Sequence, residues 1–278
     1  MTKAIFKNII LLGFLFISTT VAFAQTNADT AQIVLLKNFS MPQLSRERTI
    51  RVYLPKGYNT SNKTYPVIYM TDGQNIFKSS AAIKSTWAVD SMLNSLPANK
   101  QCIIVGIDHA GKDRITEYNP YNSTYGKGDG VAYSQFLAET LKPYIDAHYR
   151  TKKEARYNAI AGSSLGSLLA MYAVVKYPDS FGNAGIFSPA FWIGQQIYTD
   201  TETATLNKKA GFYLVCGDSE SADEVKYVNK MDSVLHAKKF TAQQVPPTII
   251  KAGAKHNEAQ WRSAFPDFYR WVIDRFGL

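Results

Sequence analysis

Two kinds of hydrophobic pattern alternate along the chain. In "RTIRVYL" apolar and polar residues alternate, which predicts a half-buried strand ended by Pro55, Lys56 and Gly57. Later segments are short and almost continuously apolar, as strands covered on both faces are, and several end in Gly, Asp or Ser. Functional loops are therefore expected at their carboxyl ends. These segments are "PVIYMTDG", "CIIVGIDH", "YNAIAGS", "NAGIFSPAF", "FYLVCGD" and "TIIKAGAKH".

Helical patterns lie between the predicted strands. "STWAVDSMLNSL" places Trp87, Met92 and Leu93 near one face, and "VAYSQFLAETLKPYIDAHY" carries an apolar stripe broken by Pro143. "LGSLLAMYAVVKYP" predicts a buried helix stopped by Pro178, and "EAQWRSAFPDFYRWVIDRFG" predicts a last helix. This alternation predicts an α/β fold with a mostly parallel central sheet, antiparallel N-terminal strands and helices on both faces.

The first 24 residues have the pattern of a signal peptide. Lys3 and Lys7 precede an apolar run from Ile9 to Ile17, and the small residues before a cleavage site end at Ala24. An uncleaved anchor is the alternative, but a bilayer span needs about 20 apolar residues. We therefore expect cleavage after Ala24, a periplasmic or secreted protein, and no stable membrane insertion after cleavage.

Size and charge narrow the class of protein. Removing 24 of the 278 residues leaves 254, which suits one α/β domain over residues 25–278. The removed segment has two lysines and no acid, so the formal charge falls from +9 to +7. Lysines and arginines are scattered, and their densest group, near Arg150 to Arg156, is typical of a solvated face. Nucleic-acid binding is not predicted, and the oligomeric state stays open.

Cysteine usage gives no indication of a metal centre. Cys102 and Cys216 each lie in an apolar, strand-like run, and the chain has neither a Cys-x-x-Cys motif nor a Cys/His cluster. Export would permit a disulfide, yet free cysteine is among the most buried residue types. We predict two buried free thiols, no metal and no organic cofactor.

The segment "AGSSLGS" contains the pattern G-x-S-x-G, from Gly162 to Gly166, with Ser164 at its centre. A predicted strand precedes it and a predicted helix follows, which is the context of a nucleophile elbow. Glycines at both ends allow the tight turn, and the helix amino end favours developing negative charge. The pattern therefore predicts that Ser164 is a nucleophile, whereas a purely structural turn is the alternative.

A serine hydroxyl needs a base, most often histidine. In the predicted fold the catalytic residues follow the chain order Ser, acid, His, so the base must come after Ser164. His236 and His256 are the two histidines that do. His236 lies in a helical pattern, where a surface role is ordinary, whereas His256 lies between an apolar strand and the last helix. His256 is therefore the predicted base.

The acid that orients the base should come from the loop after the preceding strand, "FYLVCGDSESADEV". Four carboxylates are available there, and the pattern by itself leaves the choice open. They are Asp218, Glu220, Asp223 and Glu224.

Two backbone N–H groups are predicted to form the oxyanion hole. One belongs to Leu165, the residue after the nucleophile, and the other comes from the loop after the third strand, "YMTDGQNIF", where Gln74 is the predicted donor. A plain Asp-Gly turn is the alternative for that second loop.

The longest irregular stretch, Ala110 to Gly130, is rich in Gly, Asn and Tyr. Long loops of this kind are often functional. It either borders the substrate site with Tyr118, Tyr121 and Tyr125, or is a surface loop whose tyrosines pack locally.

Taken together, these segments resemble the esterase D-like family of α/β-hydrolases, which includes enterochelin esterases and the feruloyl and acetyl-xylan esterases of carbohydrate esterase family one. The resemblance runs from about Arg46 to the C-terminus. It rests on "YPVIYMTDGQNIF", "TWAVD", "RITEYNPY", "RYNAIAGSSLGSLLAMYAVVKYPDSFGNAGIFSPAFW", "FYLVCGDSES" and "KHNEAQWRSAFPDFYRWV".

The resemblance implies the α/β-hydrolase fold and selects Glu220 as the acid, because the family places it three residues after a strand-end glycine, here Gly217. It also implies Gln74 and Leu165 as oxyanion donors. Many relatives have a second glycine where this chain has Ser167, so we expect changed helix packing there but retained activity.

The function expected from these residues is hydrolysis of a carboxylic ester through an acyl-enzyme, by Ser164, His256 and Glu220. The substrate is a small-molecule or carbohydrate ester, with acylated polysaccharide and siderophore lactones both open. An acyltransferase and a noncatalytic binding protein on the same fold are the alternatives.

Overall fold

The computed structural model describes residues 30–78 and 85–278; the predicted signal peptide, residues 1–24, lies outside them. Its centre is an eight-stranded sheet in the order β1, β2, β4, β3, β5, β6, β7, β8. The strands are β1 (Gln32–Met41), β2 (Arg46–Leu54), β3 (Val67–Thr71), β4 (Ile103–Ile107), β5 (Asn158–Ser163), β6 (Asn183–Phe187), β7 (Gly211–Gly217) and β8 (Ile249–Lys251).

One strand of the sheet, β2, runs opposite to the other seven. β1 pairs with β2 and β2 with β4 in antiparallel fashion, whereas every pair from β4 through β3 to β8 is parallel. The carboxyl ends of six strands therefore meet along one edge, where loops of α/β sheets carry their functional side chains. The prediction of a mostly parallel sheet with antiparallel N-terminal strands is confirmed.

Helices follow most of the parallel strands. In the described part of the chain, none of them is both long and apolar enough to cross a membrane. The α helices are α1 (Val89–Asn94), α2 (Arg114–Tyr118), α3 (Gly130–Phe136), α4 (Lys142–His148), α5 (Leu165–Lys176), α6 (Gln196–Thr203), α7 (Glu224–Ala237) and α8 (Glu258–Phe276).

A hydrophobic cluster covers each face of the sheet. Successive residues of a strand point to opposite faces, so in β3 Tyr69 joins one cluster while Ile68 and Met70 join the other. The first cluster includes side chains from α3 to α7, and the second those of α1 and α8. The predicted helices on both faces are confirmed.

Three predicted elements differ in detail. β8 is a three-residue strand at the end of the described sheet, and Ile250 at its centre is 37% exposed. A π-helical turn, Leu137–Leu141, joins α3 to α4. Pro143 therefore lies in the first turn of α4, a position where the missing backbone N–H of proline is tolerated. Trp87 lies before α1, which begins only after Ala88 adopts a left-handed conformation.

Both cysteines are free and buried, as predicted. Burial raises the pKa of the Cys102 thiol to about 12. Burial, together with nearby carboxylates, raises the pKa of Cys216 to the same value. Both groups are therefore protonated, unreactive thiols at neutral pH.

Helix α5 is buried at all of its 12 residues except Lys176 and ends at the turn before Pro178. The Ser167 hydroxyl anchors it to two strands: it lies 2.6 Å from the Gly162 carbonyl oxygen and accepts the Phe187 N–H at 2.8 Å. Ser167 is fully buried. The hydroxyl thus replaces the expected second glycine and binds the helix to β5 and β6.

Replacing Ser167 by alanine should remove these hydrogen bonds from a fully buried position. We expect the free energy of unfolding to fall by about 1–3 kcal/mol, measured by urea titration. Ser233→Ala is the control, since its exposed hydroxyl also bonds a helix carbonyl, that of Asn229. We expect that change to cost less than about 0.5 kcal/mol. Equal losses would show that the anchor is unimportant.

Candidate active site

Ser164 occupies a sharp turn between β5 and α5. Its φ of 57° and ψ of −122° are rare for a residue with a side chain, and such strain persists only where surrounding contacts fix it. The Ser164 N–H donates to the Phe187 carbonyl at 3.0 Å, and its carbonyl accepts the Ala190 N–H at 3.1 Å. Backbone bonds to one neighbouring segment therefore hold the turn on both sides.

The glycines flanking Ser164 are required by close packing. A Cβ at Gly162 would lie 2.3 Å from Thr71 Oγ1, and a Cβ at Gly166 would lie 2.1 Å from the same atom. Neither distance is sterically possible, so only glycine permits the end of β3 to contact the turn. Close packing therefore accounts for both glycines of the G-x-S-x-G pattern, and the role of Ser164 as nucleophile stays a prediction.

His256 lies in the loop between β8 and α8 and contacts a carboxylate. Its Nδ1 is 2.8 Å from Glu220 Oε2. Glu220 is almost fully buried, with 1% of its side chain exposed, whereas the His256 side chain is 39% exposed. A buried acid behind an accessible imidazole fixes the ring orientation while leaving the other nitrogen free to exchange protons.

Two further groups bind the Glu220 carboxylate. Its Oε1 accepts the Gly217 N–H at 2.5 Å and the Ser188 hydroxyl at 2.7 Å. Ser188 Oγ in turn accepts the Trp261 indole N–H at 2.8 Å. The Trp261 ring also packs edge-on against the His256 ring, with centroids 5.2 Å apart. Trp261 therefore contacts His256 directly and is linked to Glu220 through Ser188.

The other carboxylates of the loop after β7 have different surroundings. Asp218 accepts the Gly253 N–H at 2.7 Å, which ties this loop to the one that carries His256. Asp223 is exposed and pairs loosely with Lys226. Glu224 begins α7 and is 3% exposed. Burial, and then the charge of Glu220, raise the pKa of Glu224 to about 8.

The other three histidines are placed differently. His109 lies in the same cleft, but its Nδ1 accepts the Gly111 N–H at 2.9 Å. His148 stacks on Tyr144, and His236 lies on α7 near Asp232. Of the four histidines, His256 is therefore the one that contacts a carboxylate from the loop after β7.

Ser164 and His256 line one cleft of about 330 Å³ at the carboxyl edge of the sheet. Leu165 is the first residue of α5, so its N–H has no partner within the helix. Gln74 lies in a short 3₁₀ turn, Gly73–Asn75, directly after β3. The remaining residues that line the cleft are Asp72, Asn75, Trp87, His109, Arg114, Ser163, Glu258 and Trp261.

The stretch from Ala110 to Gly130 both borders the cleft and packs two of its tyrosines into the protein. Arg114, at the start of α2, lines the cleft, so the stretch borders the site. Tyr118 is fully buried, and Tyr121 packs on Tyr172. Tyr125 is exposed, and its ring contacts that of Trp192. The cleft-lining residue here is therefore an arginine, and two of the three tyrosines pack locally.

The sequence reasoning missed Ser188, Trp261 and Arg114. Ser188 directly follows β6 at the functional edge, which is a signal that sequence could have offered. No sequence pattern reveals that Trp261, on the first turn of α8, or Arg114, on α2, points towards the cleft. In the part of the chain described, no group of three or more His, Cys, Asp or Glu side chains is arranged to hold a metal ion.

The fold and this edge define an α/β protein of the hydrolase type. Residues 41–272 match the family model described as "Putative esterase". The chain belongs to this esterase family.

Individual relatives support the same assignment. The chain is 24% identical over 242 residues to the uncharacterized protein YbbA of Bacillus subtilis, covering 82% of this chain and 93% of YbbA. It is 24% identical over 223 residues to an endo-1,4-beta-xylanase/feruloyl esterase of Xylanibacter ruminicola, covering 77% of this chain but 28% of that protein. The solved structure of a ferulic acid esterase superposes with a TM-score of 0.68 at 18% identity, covering 89% of this chain and 99% of that one.

The raised pKa of Glu224 predicts a pH-dependent stability. Between the ordinary pKa of a glutamate and pH 8 the folded protein binds a proton that the unfolded chain releases. The free energy of unfolding should therefore fall as pH rises through this window, by up to about 1.4 kcal/mol per pH unit. Glu224→Gln should remove this slope, as measured by urea unfolding between pH 5 and 8.5.

Asp223→Asn is the matched control, because it removes an exposed acid from the adjacent position. Its stability curve should run parallel to that of the wild type. If the Glu224→Gln curve also runs parallel, Glu224 titrates normally and its burial has no energetic effect.

Proposed function

We propose that the protein is an exported serine esterase that hydrolyses a carboxylic ester in two acyl-transfer steps. The observation that carries this proposal is the 2.8 Å contact between His256 and the buried Glu220, in the cleft that Ser164 also lines. A nucleophile, a base and an acid that orients the base are the parts that the reaction needs.

In the first step His256 takes the Ser164 proton as the hydroxyl oxygen attacks the ester carbonyl carbon. Glu220 accepts a hydrogen bond from the Nδ1–H group of His256, stays ionised, and stabilises the imidazolium that forms. His256 then gives its proton to the leaving alcohol, and the acyl group stays on Ser164. In the second step His256 takes a proton from water as the water oxygen attacks the acyl carbonyl carbon. His256 then gives this proton to the Ser164 oxygen as its bond to the acyl group breaks, and the carboxylic acid is released.

The negative charge that develops on the carbonyl oxygen needs donors placed in advance. We assign this role to the N–H groups of Leu165 and Gln74. Leu165 begins a helix, whose amino end adds a favourable dipole, and Gln74 lies in the turn that packs beside the same serine.

Water rather than another alcohol is the proposed acceptor. The His256 side chain is 39% exposed, so solvent reaches the base that must activate the second nucleophile. A transferase would have to keep water away from this group.

Acylated carbohydrate is the substrate class that we favour over a siderophore lactone. Tyr125 and Trp192 are 50% and 47% exposed, and their rings contact each other edge-on at 6.3 Å. Trp192 lies two residues after Ala190, whose N–H bonds Ser164, so the pair stands near the cleft. Exposed aromatic faces suit the C–H face of a sugar ring, and one relative combines a xylanase with a feruloyl esterase.

Removing the nucleophile or the base should abolish turnover. We expect Ser164→Ala and His256→Ala each to lower kcat/KM for p-nitrophenyl acetate at least about a thousandfold, measured as p-nitrophenol release. His236→Ala should retain wild-type rates, because that histidine lies on the surface of α7. Equal rates in wild type and Ser164→Ala would favour a binding protein on the same fold.

The aromatic pair should matter only for large substrates. We expect Trp192→Ala to lower kcat/KM for a feruloylated oligosaccharide roughly 3- to 10-fold, since an aromatic contact contributes about 0.5–1.5 kcal/mol. Turnover of p-nitrophenyl acetate should not change. Leu35→Ala, which removes an equally exposed apolar side chain from the edge strand β1, is the control. Unchanged kinetics on the oligosaccharide would contradict a sugar-binding role.

A further inference from the structure

Arg114 is the arginine among the described residues that line the cleft, and it forms several directed contacts. Its Nε lies 2.6 Å from Asp72 Oδ1 and its Nη2 lies 2.9 Å from Asp72 Oδ2, which is a bidentate pair. The same Nη2 lies 3.4 Å from the Ser163 carbonyl oxygen. One planar group therefore contacts two separate segments of the chain.

Those two segments are the ones that carry the proposed oxyanion donors. Asp72 precedes Gln74 by two residues, and Ser163 precedes Leu165 by two residues. The two donors come from different loops, after β3 and after β5, and an oxyanion hole works only if their separation is fixed before the charge develops.

The loop after β3 depends on such a contact. Asp72 has a φ of 58°, a left-handed conformation that costs energy for a residue with a side chain. Its carboxylate does not cap the 3₁₀ turn that follows. Both carboxylate oxygens instead bind Arg114, so the pair with Arg114 is what restrains this side chain.

Helix α2 is itself well placed to act as a support. The Asp72 N–H donates to the Tyr118 hydroxyl at 3.1 Å, and Tyr118 is fully buried. The Arg114 guanidinium lies over the Tyr118 ring, 5.0 Å from its centroid. Its orientation is therefore set by the ring beneath it and by the carboxylate beside it.

A second contact restrains Gln74 through its side chain. Its side-chain oxygen accepts the His109 N–H at 3.0 Å, which joins this loop to the one after β4. Arg114 binds the same loop at Asp72, so contacts from two other segments act on the turn that carries the Gln74 N–H.

We infer that Arg114 is a positioning residue, which holds the Gln74 and Leu165 N–H groups at a fixed separation by binding Asp72 and the Ser163 carbonyl. This inference rests on the proposed esterase function and concerns the transition state alone. Asp72 balances the charge of Arg114, so the pair presents no net charge to an anionic substrate.

The test compares kcat and KM in Arg114→Met with p-nitrophenyl acetate. A small misplacement of catalytic groups costs about 100-fold in rate, so we expect a fall of that order in kcat with KM changed less than about twofold. Affinity for a boronic acid inhibitor, which mimics the tetrahedral state, should fall by a similar factor. Arg114→Lys should lose most of the same rate, because an ammonium group cannot bind bidentately.

A double-mutant cycle tests the pair itself. Asparagine also tolerates the left-handed conformation, so Asp72→Asn removes the charge with little change in backbone preference. Asp72→Asn should lower kcat in the wild type but have little further effect in Arg114→Met. Additive losses would contradict a shared role.

Lys142→Met is the matched control. Lys142 Nζ lies 2.6 Å from Asp146 Oδ2 and donates to the Lys153 carbonyl at 2.9 Å, so it also joins a carboxylate to a backbone oxygen. These three residues are not among the described residues that line the cleft. We expect thermal stability to fall in both variants but kcat to fall only in Arg114→Met.

The outcomes separate this inference from the proposed function. Wild-type kcat in Arg114→Met, an equal fall in kcat in Lys142→Met, or a raised KM with unchanged kcat in Arg114→Met would each overturn the positioning role. The last outcome would show that Arg114 binds substrate. Turnover that persists in Ser164→Ala would instead overturn the esterase proposal itself.

Discussion

Close packing between the end of β3 and the turn at Ser164 is the constraint on which this edge of the molecule depends. Gly162 and Gly166 each approach Thr71 Oγ1 to a distance that excludes any Cβ atom. That approach sets Ser164 at the top of the sheet and brings Asp72 and Gln74 alongside it. The strained backbone of Ser164 is maintained because its N–H and carbonyl both bond the segment after β6.

The acid–base pair is built differently, from burial and hydrogen bonds. A carboxylate with 1% exposure is costly unless donors surround it, and Glu220 receives them from Gly217, Ser188 and His256. Trp261 completes this arrangement from α8, since its N–H reaches Ser188 while its ring packs against His256. The last helix therefore contributes to the site as well as to the core.

The segment that carries Arg114 shows how an irregular sequence becomes rigid. Glu117, on the same helix, is fully buried and binds Arg48 at 2.6 Å and Arg46 at 2.7 Å. Removing either partner of such a buried pair is costly, so α2 is fixed to β2 at one end and to the cleft at the other. A stretch that looks like a flexible loop in sequence thus connects the antiparallel edge of the sheet with the proposed catalytic groups.

The sequence by itself determined the fold class, because short apolar runs alternating with helical patterns leave few ways to bury their surfaces. It also located the turn at Ser164, the histidine after the last strand and the loop that carries the proposed acid, since these follow from strand ends and chain order. Local patterns left four carboxylates open, and the resemblance to a family selected Glu220. Only the tertiary structure decided that Glu220 contacts His256 while Glu224 is buried beside it. The same holds for Ser188, Trp261 and Arg114, because contacts between residues many positions apart depend on how helices and loops pack, which no local pattern records.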